Sequence, residues 1–343
     1  MSTPNVSSVA TADEAAAPRS NPFRNLNFSV RFWVALGLVV LVLLLGVAGY
    51  FYPTSSSEKV GSLYDPPGNG LLFGTDNFGH DVLAVLMAGT RTSLVIGLVA
   101  GVIATTIGVA VGLLAGYVGG WLEELLMGIT NVVLAIPSII VLILISISLP
   151  KSTMWSLAVV IGITSWPWTA RAVRAQASSV ATREHIDVAR LSGARLGGIL
   201  VRDVLPYILS YAVMAFVLQV SGAILAEAAL SMLGLGPAGA DSLGTQLHWA
   251  LAFQAVASGA WWAFLPPTIV LTLVSFGFLL LQASLDEVFN PRLRRGKRKQ
   301  MRQTQARRLA EAQAAAAARP TPTGAHAGVG AGRARTAQEG GRS

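Results

Sequence analysis

Apolar and polar positions in this chain fall into long blocks rather than the short periods of amphipathic soluble elements. The first block, Trp33 to Tyr52, carries no charged residue. At about 1.5 Å per helical residue it can cross a hydrocarbon core of roughly 30 Å. Comparable blocks follow at Thr92–Val118, Leu125–Leu149, Trp155–Ala172, Tyr207–Met232 and Ala263–Ser284. In lipid the backbone polar groups of a lone segment are satisfied only within a helix. The pattern therefore predicts an all-α integral membrane protein with six transmembrane helices.

The intervals between blocks set the organisation. Residues 1–30 are rich in Ser, Thr, Ala and Asn and read as a disordered tail. The first apolar block begins too late and runs too long for a cleaved signal peptide. Residues 31–88 hold the first helix and a polar loop, 89–285 hold five helices, and 286–343 form a basic, low-complexity tail. Within the second block, several glycines from Gly97 to Gly120 recur at four-residue spacing, which predicts close helix packing. Pro137 predicts a kink in the third block.

Composition agrees with a bilayer protein. Of 343 residues, 53% are hydrophobic and 12% charged, with a mean hydropathy of +0.58; an average soluble domain is about 25% charged. There is no cysteine, so disulfide and thiolate chemistry are excluded. The four histidines lack metal-ligand spacing. The net charge of +8 is not a nucleic-acid signal, because the basic residues cluster beside apolar blocks. Six arginines and three acids lie between Arg171 and Pro206, and nine Lys or Arg without an acid lie between Arg292 and Arg308. Glu58, Asp65, Asp76 and Asp81 face a single Lys59 in the loop after the first block. The positive-inside rule thus predicts both termini and the 171–206 segment in the cytoplasm, and the acidic loop outside. The basic tail is suited to resting on anionic lipid.

The most patterned polar stretch is Glu184–Pro206. Thr182 is placed to cap a short helix with Glu184 in its first turn. Ser192-Gly193 then offers a break, and a second short helix ends at Leu205-Pro206. Asp187-Val-Ala189, three residues, Gly193, nine residues and Asp203-Val-Leu205-Pro206 resemble the Glu-Ala-Ala-x3-Gly-x9-Ile-x-Leu-Pro signature of permease subunits in binding-protein-dependent ABC importers. Asp187, Val188 and Asp203 depart from that pattern while the spacing is kept. Gly74–Leu83, Gly112–Trp121 and Ala226–Gly236 resemble segments of the dipeptide, oligopeptide and nickel branch.

The resemblance implies a type I ABC importer permease fold in a bacterial inner membrane. It implies that 184–206 is the loop docking on the ATPase, through Glu184, Asp187, Ala189, Gly193, Ala194, Leu205 and Pro206. It also implies a second homologous permease subunit, two ATP-binding subunits holding ATP and magnesium, and an extracytoplasmic substrate-binding protein. This chain has no Gly-x4-Gly-Lys-Ser/Thr loop, so it is expected to bind no cofactor and to be no enzyme. Di- and oligopeptides lead as substrates, ahead of nickel chelates, glutathione-like ligands and oligosaccharides. An ion-coupled secondary transporter is the competing class, and it normally shows more embedded ionisable groups or broken-helix repeats. Glu227, Asn131 and Pro137 are candidates for lining the path or for structural roles. An intramembrane carboxylate such as Glu227 is functional by default, against a plain role in hydrogen bonding to a neighbouring helix.

Overall fold

Asp81 stops the polar loop and starts the longest helix. Its carboxylate accepts from the Leu83 amide at 2.9 Å, and α2 (Val82–Val118) follows for 37 residues. At about 1.5 Å per residue that is roughly 55 Å, well beyond the hydrocarbon thickness. The helix thus begins inside the stretch read as loop, upstream of Thr92, and its first residues Val82–Met87 are buried.

The computed structural model describes residues 29–68, 70–149 and 151–289. The expectations for tails at 1–28 and 290–343 lie outside these residues. Within them the order is α1 (Val30–Ala48), α2, α3 (Gly120–Ala135), α4 (Ser138–Ser148), α5 (Met154–Ala181), α6 (Glu184–Leu191), α7 (Leu196–Gly198), α8 (Leu205–Leu230), α9 (Leu243–Ala252) and α10 (Trp261–Phe289). The helix α10 carries through residues assigned above to the start of the C-terminal tail, including Asp286 and Glu287.

Among the described residues, four helical stretches are long and apolar enough to cross a membrane, or five if α3 and α4 form one span. At Pro137 the two meet at 81°, a full break rather than the expected kink. Proline pushes the preceding residue out of the helical region, and Ile136 is extended at φ −91°, ψ 127°. The 28-residue α5 is less apolar, with Trp166-Pro167-Trp168 and two arginines along its length.

The glycine spacing of α2 is spent on packing. A Cβ on Gly108 would stand 2.6 Å from Thr169 Cβ of α5, and one on Gly112 would stand 2.6 Å from the Ala170 carbonyl oxygen. Backbones this close maximise dispersion contact where lipid offers no hydrophobic drive between helices. Nearer the start of α2, Gly101 does the same against Val220 of α8. Helices α2 and α8 therefore form the centre. One core joins Val42 of α1, Leu94 of α2, Ile224 of α8 and Val274 of α10, and a second joins Ile96 of α2, Leu142 of α4 and Ile161 of α5.

Candidate functional site

The segment after α5 folds into a knob of two short helical limbs. Thr182 does not cap α6; it closes α5, its hydroxyl donating to the Ser179 carbonyl at 3.3 Å, and Arg183 takes the cap position without a side-chain bond. Chain reversal instead depends on Gly193. Its φ is +74°, a region open to glycine at little cost. The Gly193 amide donates to the Arg190 carbonyl at 3.0 Å and the Ala194 amide to the Ala189 carbonyl at 3.2 Å. This is the bond pair of a Schellman cap, and it brings together Ala189, Gly193 and Ala194.

The second limb does not stop at Leu205-Pro206. Helix α7 widens into a π-helical stretch, Ile199–Val204, and runs straight into α8, with Pro206 in that helix's first turn. In a regular α-helix the Pro206 ring would meet the carbonyl four residues back and leave it without a donor. The wider turns absorb that defect.

One face of the knob is seated and the other is bare. Ile186, Ile199 and Val204 are buried against Leu113 of α2 and Val173, Ala177 and Val180 of α5. Arg190 reaches from α6 to the end of α2, donating to the Tyr117 hydroxyl at 3.0 Å with its guanidinium 4.8 Å from the ring centre. Arg183 lies over Tyr207 at 5.2 Å. Composition gave no hint of these two cation–π clamps: Tyr207 adjoins the segment, but Tyr117 lies 73 residues from Arg190. On the bare face Val188 is 62% exposed, Leu191 89% and Leu196 47%. Among the described residues, apart from chain neighbours and the adjoining helix backbone, nothing lies within 4 Å of a Cβ placed on Gly193, Gly197 or Gly198. Glu184 and Asp187 are exposed in the first turn of α6, and Asp187 sits 3.4 Å from the Arg190 guanidinium. The knob thus presents a compact apolar tip ringed by charge on a buried base.

The other candidates lie apart from the knob. Glu227 is fully buried in α8, where it accepts from Ser93 of α2 at 2.9 Å and from Ser231 at 2.6 Å. Ser93 in turn accepts the Leu243 amide at 3.1 Å, so the carboxylate joins α2, α8 and the start of α9. Ser93 was not legible as a partner, being 134 residues distant. Asn131 on α3 accepts from Arg171 of α5 at 2.6 Å, and the Glu123–Arg174 ion pair ties the same two helices. Pro137 sits at the break between α3 and α4, where its carbonyl accepts from the Ile140 amide at 3.0 Å.

At the acidic end, Asp76 and Asp81 act as caps: Asp76 accepts from the Phe78 and His80 amides, each at 2.8 Å. The Tyr52 hydroxyl donates to Asp81 at 2.8 Å, and burial with this bond pushes its pKa up to about 12. Phe78 packs edge-on against Trp249 at 5.4 Å, joining the 52–81 loop to α9. Among the described residues no group of three His, Asp or Glu could hold a metal ion.

Residues 108–295 match the family described as binding-protein-dependent transport system inner membrane component. A Brucella suis protein named as a peptide permease is 36% identical over 222 residues, spanning 64% of this chain and 72% of its own. A second Brucella suis protein, named for a peptide transport system permease, is 32% identical over 268 residues, 77% of this chain and 88% of its own. The oligopeptide transport system permease protein OppC of Bacillus subtilis is 31% identical over 268 residues, 76% and 86% of the two chains. A solved structure of the MetNI methionine ABC transporter in inward-facing conformations aligns with a TM-score of 0.45 at 21% identity, covering 59% of this chain and 96% of that one.

Proposed function

We propose that this chain, which belongs to the family of binding-protein-dependent transport system inner membrane components, is the permease subunit of an ATP-driven importer of di- and oligopeptides. The observation that carries the coupling role is the knob: an exposed apolar tip at Val188, Leu191 and Leu196 on a buried base. An exposed apolar patch on a rigid platform marks a protein contact. The peptide class is supported by relatives that bear peptide permease names over most of their own length.

In this reading the chain crosses the membrane six times, by α1, α2, the bent α3–α4 pair, α5, α8 and α10, with both termini in the cytoplasm. Residues 184–206 dock on one of two ATP-binding subunits, which hold ATP and magnesium. A second, homologous permease completes the translocation path, and a binding protein delivers substrate to the acidic face. This chain binds no cofactor and no nucleic acid, and its basic tail lies on inner-leaflet lipid. Glu227 and the Asn131–Arg171 pair hold helices in register, and the Pro137 break gives the α3–α4 span its bend.

The test is reconstitution of all subunits in proteoliposomes. ATP-dependent uptake of a labelled tripeptide is expected, and omission of this chain should abolish it. Uptake undiminished by the omission, or robust ATP hydrolysis by the purified chain alone, would refute the reading. Uptake of nickel chelates, glutathione or oligosaccharides in preference to peptides would replace the substrate class and leave the subunit's role intact.

A further inference from the structure

At the acidic end, residues 76–85 and the Asp241–Ala250 segment enclose a cavity lined by Asn77, Phe78, Val82, Asp241, Gln246 and Trp249, among others. Two groups in it stand out. Asn77 is 8% exposed, and its Nδ2 has no hydrogen-bond partner. A buried amide left this way is costly unless something else accepts from it. Asp241 is the second. Among the described residues no lysine or arginine lies within ion-pair distance of it. Burial pushes its carboxyl up, and the nearby Asp76 adds to this, against the opposing effects of a Ser56 hydrogen bond and nearby His80. Asp76, by contrast, is already engaged by two amides and by the His80 ring at 3.4 Å.

The cavity therefore offers one carboxylate without a lysine or arginine partner among the described residues, one N–H donor without an acceptor, and the aromatic surface of Phe78 and Trp249. A carboxylate beside aromatic rings selects an organic cation. A neighbouring donor adds a carbonyl oxygen to the requirement. A metal ion does not fit, since no suitable cluster of three ligands exists among the described residues. We propose that this cavity is a binding site for the amino end of a peptide, with Asp241 accepting from the α-ammonium, Asn77 donating to the first carbonyl, and Phe78 and Trp249 flanking the cation. This deepens the proposed peptide import and rests on it: the site lies on the face to which the binding protein would deliver substrate.

The experiment uses the purified full chain in lipid nanodiscs and equilibrium dialysis with labelled trialanine. Trialanine and trialanine amide should bind saturably, and N-acetyl-trialanine should not. Butylamine, which lacks the carbonyl, should bind more weakly than trialanine. Asp241→Asn should weaken trialanine binding roughly thirtyfold or more, and Asn77→Leu about fivefold. Elution as a single species and unchanged helical circular dichroism establish that each variant is folded. No saturable trialanine binding by the wild type overturns the proposal. So does binding indifferent to acetylation or to Asp241→Asn, or butylamine binding as tightly as trialanine. The reconstituted importer separates the two levels. Peptide uptake by the wild-type assembly that neither variant alters removes the site and leaves the importer, whereas no peptide uptake at all removes both.

Discussion

The most exposed consequence of the knob's geometry is the response to Gly193→Val. An L-residue in the left-handed region costs about 1–2 kcal/mol, and a β-branched one lies toward ~3 kcal/mol. Because, among the described residues and apart from its chain neighbours, nothing lies within 4 Å of a Cβ at this position, that cost comes from backbone strain and not from a clash with these residues. The strain falls on the two bonds of the cap, Gly193 to Arg190 and Ala194 to Ala189. The base of the knob, on Ile186, Ile199 and Val204, is not touched. Membrane insertion and the helical bundle should therefore survive while the tip loses its shape. A 2 kcal/mol penalty on the docking-competent turn weakens ATPase binding by about thirtyfold, and the added isopropyl group projects into the groove the tip would occupy. Gly193→Asn, which tolerates the left-handed region, should be milder. Asp187→Ala should be milder still, because its exposed pairing with Arg190 at 3.4 Å is the kind worth about 0–1 kcal/mol. Cells expressing each variant are assayed for peptide uptake and for ATPase subunit recovered by pull-down. Normal uptake together with normal pull-down for Gly193→Val would show that 184–206 is not the coupling element.

Three further outcomes follow from the same structure. Cysteines placed singly in this cysteine-free chain report topology: an impermeant thiol reagent applied to intact cells should label position 60 and spare position 190, and the reverse pattern inverts the orientation. Glu227→Ala strands the Ser93 and Ser231 hydroxyls that now donate to it, so thermal unfolding in detergent should reveal a loss of about 1–3 kcal/mol, with Glu227→Gln closer to wild type; an unshifted midpoint for the alanine variant removes the structural role. The Tyr52 pKa is raised from 10.0 to about 12 in the folded chain. Its contribution to stability is therefore complete below pH 10 and lost as pH rises toward 12. Alkaline titration of unfolding should show that component in wild type and lack it in Tyr52→Phe, and identical profiles would dissociate the Tyr52–Asp81 bond from stability.

Much of this molecule was legible from one dimension because a bilayer leaves few solutions. Apolar blocks of spanning length must be helices, and the positions of α1, α2, α8 and α10 follow from hydropathy with errors confined to their ends. The glycine spacing of α2 was equally readable, since a missing side chain at every fourth position has one economical use in lipid, close approach of a neighbour. Gly193 was readable as a break because so few residues accept its backbone angles. Tertiary structure decided what no local rule encodes. Pro137 makes an 81° break because nothing rebuilds the helix around it, whereas Pro206 sits inside a continuous helix because the widened turns before it accommodate the ring. The Ser93 partner of Glu227, the Tyr117 seat of Arg190, and the meeting of Asn77 with Asp241 in one cavity all join residues distant in sequence. Hydrophobic periodicity is a property of one helix against its surroundings, while a satisfied or unsatisfied polar group depends on which helices the packing brings together.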